Sequence, residues 1–273
     1  MRARLPLLWL ALRRRRRMLT ALLLGMVLFE TLIVVITGTL SPVQLFAGGG
    51  KTPPGAFKAF SGSTGAVSIA SYPGLLGAGL VHPFWIAMQL TAVGSLAAAA
   101  VAADVEAGTL ELLMVRPVSR ARLLGERTAA LLVTALLLNL AATLTIAAGV
   151  ALSPDLHREV PVSGVFAAGL LGYGFSLCMI GPALAVSAAA RSRAQVLGTV
   201  IAFGAVGFAL NFVALAWSPA APLRYASPFH YYTPGDALAD GSVPWGSLGL
   251  LSLVGVAGIG AAFALFARRD LAR

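Results

Sequence analysis

The sequence predicts an all-α membrane protein: six transmembrane helices behind an N-terminal interfacial helix, with both termini cytoplasmic. Three observations carry that expectation. Hydrophobic residues make up 58% of the chain and charged ones 11%, with a mean hydropathy of +0.87, whereas a soluble domain is about half apolar and about a quarter charged. Six apolar stretches are each long enough, at about 1.5 Å per helical residue, to cross a hydrocarbon core of about 30 Å. The arginines cluster between those stretches and are almost absent within them.

Taken in order, the chain divides into an interfacial segment, residues 1–17, and a transmembrane domain, residues 18–273. In the first, Leu5-Pro6-Leu7-Leu8-Trp9-Leu10-Ala11-Leu12 is apolar, too short to span, and flanked by arginines. It is expected to lie along the interface, with Trp9 at headgroup level and the Arg13–Arg17 run held by anionic lipid. The first span, 18–40, exceeds the apolar length of a signal peptide and five spans follow, so it is read as retained. The others are 75–103, 128–150, 162–190, 196–217 and 246–267; the second and fourth are long enough to tilt or kink. Residues 41–74, rich in Gly, Pro and Ser, are predicted as a loop, and 151–161 as a short polar connection. Residues 218–245 place Pro219, Pro222, Pro228, Pro234 and Pro244 among Trp217, Tyr225, Phe229, Tyr231, Tyr232 and Trp245, which predicts a short re-entrant or interfacial element.

Sixteen of the twenty Lys and Arg residues fall in the N-terminus, the C-terminus and the segments after the second and fourth spans; Lys51, Lys58, Arg158 and Arg224 fall on the other side. The positive-inside rule assigns the rich side to the cytoplasm, and an even number of spans returns both termini there. A multi-pass protein of the cytoplasmic (inner) membrane is expected.

Several function classes are excluded by what is missing. Cys178 is the single cysteine and sits in an apolar run, which leaves no disulfide framework or multi-cysteine metal site. His82, His157 and His230 are separate and lack metal-ligand spacing. The net charge of +10 follows topology and offers no basic stripe with interleaved aromatics, so no nucleic-acid partner is expected. Gly48-Gly49-Gly50-Lys51-Thr52 resembles the tail of a phosphate-binding loop, yet Leu45 stands where its first glycine is needed and Pro53-Pro54 follows where its helix must start. The chain is therefore expected to be no enzyme and to hold no cofactor; any use of ATP and Mg must come from a partner subunit.

Two features inside the spans admit two readings each. Gly198, Gly204, Gly207, Gly255, Gly258 and Gly260 allow close helix approach, which fits bundle and dimer contacts equally. Glu30 lies near the middle of the first span, where an ionisable group costs about 2.5–3.5 kcal/mol on insertion scales. It is either a polar point on a substrate path, suited to a cationic compound, or the partner of Gln89, Asn139 or Asn211 in an interhelical hydrogen bond.

The most informative segment is Asp104-Val105-Glu106-Ala107-Gly108-Thr109-Leu110-Glu111-Leu112-Leu113-Met114-Val115-Arg116-Pro117-Val118-Ser119-Arg120. Leu110, Leu113 and Met114 share a helical face, Pro117 ends that helix at Arg116, and Ser119 is an N-cap for the helix entering the third span. A short amphipathic helix, a tight turn and a re-entering helix follow. On periodicity alone, an interfacial loop whose acids pair with nearby arginines is the simpler reading.

The order of residues is more specific. Asp-x-Glu-x-Gly-Thr-Leu-Glu-Leu-Leu followed by Arg-Pro-Val-Ser-Arg resembles the signature of ABC type-2 (ABC-2) exporter permeases. The resemblance extends to the arginine-flanked interfacial helix, the six spans, Ser227-Pro228-Phe229-His230-Tyr231-Tyr232 before the last span, and Phe266-Ala267-Arg268-Arg269-Asp270-Leu271 at the end. There are two departures: Asp104 stands where Glu is commoner, and Arg127 where Lys is usual. Both keep the charge type.

This resemblance implies a transport subunit whose short cytoplasmic helices dock into a groove on a separate ABC ATPase. The residues it assigns to that contact are Asp104, Glu106, Gly108, Thr109, Leu110, Glu111, Arg116, Pro117 and Arg120, with Gly108 permitting close approach, Leu110 and Leu113 filling the groove and the charges fixing register. It implies a second permease copy or paralogue as the other membrane partner. The expected function is ATP-driven export across the cytoplasmic membrane. A secondary transporter or channel not coupled to ATP would need coupling charges or a polar pore series in the spans, where Glu30 stands alone. An intramembrane enzyme would need paired acids or histidines at that depth.

Overall fold

The computed structural model describes residues 6–40, 67–114 and 118–269, and among them every regular element is helical. The predicted loop 41–66, with the Gly48–Thr52 motif, lies outside the described residues, as do Arg116, Pro117, Asp270 and Leu271. Helix α1 (Pro6–Arg14) leads into α2 (Arg16–Thr39), the first of six helices long and apolar enough to cross a membrane.

The second span is broken. It consists of α3 (Tyr72–Leu80) and α4 (Pro83–Ala98). Pro83 has no N–H and pushes the preceding residue out of the helical region, and His82 accordingly sits at φ −58°, ψ 139°. Its imidazole Nδ1 accepts the Phe84 amide at 3.2 Å. The Leu80 carbonyl left over at the break accepts the Tyr232 hydroxyl at 3.1 Å, so the kink is satisfied from the segment before the last span.

Helices α5 (Ala102–Glu106) and α6 (Leu110–Met114) form a short hairpin between the second and third spans. The third span, α7 (Arg120–Leu152), has 33 residues. At about 1.5 Å each that is about 50 Å, so its first two turns extend beyond a hydrocarbon core of about 30 Å. Ser119 starts the helix there, as its N-cap spacing predicts, its side chain accepting the Arg122 amide at 3.2 Å. A one-and-a-half-turn helix, α8 (Pro154–Glu159), connects to α9 (Val162–Ala189), which is followed by α10 (Arg193–Ala216). The region predicted as re-entrant holds a 3-10 helix (Ser218–Ala226), α11 (Pro228–Tyr231) and α12 (Pro234–Asp240) before the last span, α13 (Trp245–Arg268).

Helix α9 is the central one. Its span is 72% buried inside the protein against 11% for α2. The α9–α13 contact resolves the two readings of α13's glycines: a Cβ on Gly181 would collide with the Gly255 carbonyl, and a Cβ on Gly255 would lie 2.5 Å from the Leu177 carbonyl. Gly255 and Gly258 are thus bundle contacts, Gly204 and Gly207 meet Leu90 and Pro228, and Gly198 and Gly260 face open space within the chain. Aromatics divide in the same way. Phe229 and Tyr232 are buried, packing on Phe175 with ring centroids 5.0 and 4.5 Å away, while Trp217, Tyr225 and Trp245 are exposed.

Candidate functional site

The hairpin is closed by one glycine. Helix α5 ends at Glu106, and Gly108 has φ +64°. The Gly108 amide donates to the Val105 carbonyl at 3.0 Å and the Thr109 amide to the Asp104 carbonyl at 2.9 Å. This is the pair of reverse bonds of a Schellman turn, in which the residue after the C-cap must be left-handed and therefore favours glycine. Nothing lies within 4 Å of where a Cβ on Gly108 would be, so within the chain its conformation demands the glycine and crowding does not.

Three contacts fix this turn to the bundle. The Asp104 carboxylate meets Arg127 of α7 at 2.5 Å, and the same guanidinium nitrogen lies 2.7 Å from the Ala100 carbonyl. The two departures from the family's usual residues thus form one ion pair, a shorter acid facing a forked base. Thr109 Oγ1 lies within 3.4 Å of both the Asp104 carbonyl and its carboxylate. Glu106 accepts the Arg193 amide at 2.9 Å, at the first turn of α10, where a carboxylate also suits the helix dipole. On the other flank, Ser187 of α9 accepts the Val101 and Ala102 amides at 3.2 and 3.3 Å. Contacts from α7, α9 and α10 hold the hairpin, and α4 runs directly into it.

Exposure then decides what the hairpin offers. Leu110 is 4% exposed and belongs to the chain's own core; Leu112 is 69% exposed. Among the described side chains of α6, the outward apolar one is therefore Leu112 and not the Leu110 expected to fill a partner's groove, because Leu110 packs beneath the turn. The side chains of Leu113 and Met114 lie outside the described residues. Glu106, Ala107, Gly108 and Glu111 are exposed, while Asp104 and Thr109 are half-buried. Arg120 faces inward as well, its Nη1 donating to the Phe266, Ala267 and Arg269 carbonyls at 3.2, 2.9 and 2.8 Å.

The same end of the bundle collects both ends of the described chain. Glu126 of α7 accepts the first amides of α1, Leu7 at 2.7 Å and Leu8 at 3.2 Å, while pairing with Arg122 at 2.9 Å. Arg269 donates to the Ala188 and Ala190 carbonyls at the end of α9 at 2.6 and 2.9 Å. Arg127, Arg269 and Arg120 thus cap the carbonyl ends of α4, α9 and α13 respectively, where a cation is favoured. Burial and the nearby Arg191 push the Arg269 guanidinium below its usual pKa.

A six-span bundle whose hairpin, interfacial helix and last helix meet at one end matches a family model described as ABC-2 family transporter protein over residues 9–271. The chain belongs to the ABC-2 transporter family. No curated protein matches it. Membership makes it a multi-pass membrane protein and an ABC permease, a transport component of the membrane.

Inside this permease, Glu30 is fully buried on α2, and neither carboxylate oxygen has a hydrogen-bond partner. None of the three partners expected for it is used. Asn139 donates to the Ala135 carbonyl at 2.8 Å and to Ser176 at 3.0 Å, and Ser176 lies 3.3 Å from Gln89 Oε1, so these residues tie α4, α7 and α9 to one another. Sequence reasoning missed Ser187, Arg193 and Leu112. A serine in a long apolar helix and an arginine at a span edge carry no signal of which backbone they will meet.

Proposed function

We propose that this permease is the membrane-spanning subunit of an ATP-driven exporter of the cytoplasmic membrane, with both termini and the α5–α6 hairpin in the cytoplasm. Separate ABC ATPase subunits bind ATP and Mg and dock on the hairpin; a second permease, identical or paralogous, completes the pathway. The observation that supports this most is the Schellman turn at Gly108, which presents Glu106, Glu111 and Leu112 outward while its base is fastened to four spans. An exposed leucine between acids suits a groove that is apolar at its centre and basic at its rim. Movement of a partner against it is passed to α4, α7, α9 and α10 together, as a ligand that binds two states unequally must do to shift them.

Of the residues assigned to the ATPase contact, Glu106, Gly108 and Glu111 are the exposed ones among the described residues, joined by Leu112. Asp104, Thr109 and Leu110 act beneath them by holding the turn in shape, and Arg120 fastens the start of α7 to the end of the last span. Glu30, buried at mid-span with both oxygens unpartnered, is the point on the substrate path where a cationic group would be recognised. Purification from native membranes in mild detergent tests the reading: an Mg-dependent ATPase should accompany the chain. A lone chain under lipid-retaining conditions contradicts it.

A further inference from the structure

A cavity of about 500 Å³ opens at the arginine-rich end between α1, the end of α4, the hairpin, α7 and α10. Four arginines line it, Arg14, Arg15, Arg127 and Arg193, against one carboxylate, Asp104. That carboxylate is taken up by Arg127 at 2.5 Å, and Arg193 is paired outside the cavity lining with Glu106 at 3.5 Å. The other carboxylate nearby, Glu126, is occupied by Arg122 and the α1 amides. Among the described residues, Arg14 and Arg15 are left without an acid. Arg15 is half-buried and its guanidinium donates to the neutral Ser95 hydroxyl; burial and the charge of Arg193 push it below its usual pKa. Taking a cation out of water without a counter-charge is unfavourable, so the cavity as built lacks an anion.

The rest of the lining includes an apolar wall, Leu7 and Leu10 of α1 with Leu96 of α4. Away from the cavity lining, α1 exposes Trp9, with the Arg13 guanidinium 5.7 Å above its ring, a surface suited to the headgroup layer. A ligand that fits both walls has a phosphate at one end and hydrocarbon at the other. We propose that this cavity binds the phosphate of one anionic phospholipid, held by Arg14 and Arg15 and roofed by α1. The site is distinct from general attraction of the basic run to the membrane, because Arg16 and Arg17 are exposed and do not line it. It does not depend on an ATPase partner, although Asp104, Ala107 and Thr109 of the hairpin line the same cavity, so an occupied site touches the hairpin's inner face.

The test uses the full chain in nanodiscs of phosphatidylcholine containing about one-fifth phosphatidylglycerol, followed by extraction and native mass spectrometry of lipid retained per chain. Wild-type protein should keep one phosphatidylglycerol. Arg14→Gln with Arg15→Gln should lower its retention at least about tenfold, whereas Arg16→Gln with Arg17→Gln, which removes the same charge, should leave it unchanged. Arg14→Gln alone, at an exposed position with no packing role, should give a smaller drop in the same direction and covers the case in which the double variant does not fold. Equal losses from the two pairs mean diffuse surface attraction and overturn the site. Displacement of the lipid by sn-glycerol 3-phosphate at matched phosphate concentration would show a soluble phosphate as the ligand and overturn the lipid assignment. No retained lipid in the wild type overturns both.

Discussion

At Gly108 a positive φ of +64° would cost an L-residue about 1–2 kcal/mol, less for asparagine. Because no atom crowds the missing Cβ, that conformational cost is the whole intramolecular effect of a substitution. Gly108→Asn should keep both the turn and partner binding, and Gly108→Val should lose partner binding while the spans still insert; pull-down efficiency normalised to membrane yield reads the difference. Equal binding by both variants would mean that the turn's shape is irrelevant. Glu30 presents the opposite case, a side chain whose surroundings do not satisfy it. Relieving an unpartnered acid at mid-span is worth about 2.5–3.5 kcal/mol on insertion scales, and sites kept for function are often held at such a cost. Glu30→Leu should therefore raise the thermal stability of the purified protein in detergent. A lowered melting temperature would mean that Glu30 has a partner, and would remove its unpaired state from the argument.

Among the elements, the α9–α13 pair is the tightest close approach, with Gly181, Gly255 and Gly258 meeting backbone to backbone. A bulky side chain there has no flexible neighbour to displace, and overpacking of this kind costs about 1–3 kcal/mol or more. Gly255→Leu should destabilise the bundle, seen as earlier thermal aggregation, while Gly260→Leu, which faces open space within the chain, should not do so as a monomer. Six spans and the start of the third were legible because apolar length and an N-capping serine act locally. Ser119 caps α7 as its spacing predicts. Which glycines serve the bundle was not legible, since small residues look alike whether they face α9 or nothing. The direction of Leu110 was not legible either: periodicity groups it on one face of a helix, but only the packing of the hairpin on the bundle shows that Leu110 belongs to the chain's own core. The break at His82–Pro83 was written in the proline, yet the compensating Tyr232 hydroxyl comes from about 150 residues away and leaves no local trace.

For the molecule as a whole, all the described arginines but Arg158 and Arg224 lie towards one end, and three of them cap the carbonyl ends of spans. The arginines behind the charge asymmetry thus also finish the helices, and one end of the bundle carries the hairpin, α1 and the capped last helix. Orientation can be read with single cysteines, because the one native thiol, Cys178, is buried. In intact cells a membrane-impermeant thiol reagent should label Leu152→Cys, 85% exposed at the far end, and should label Leu112→Cys only after the membrane is opened. The reverse pattern would invert the assignment of the hairpin to the cytoplasm. The central claim, that a separate ATPase drives this bundle through the hairpin, is tested most directly by placing a photo-reactive cross-linker at Leu112 and irradiating native membranes. The account predicts capture of an ATP-binding subunit from Leu112 and none from Leu152; an ATPase captured equally from both positions, or from neither while transport persists, would contradict it.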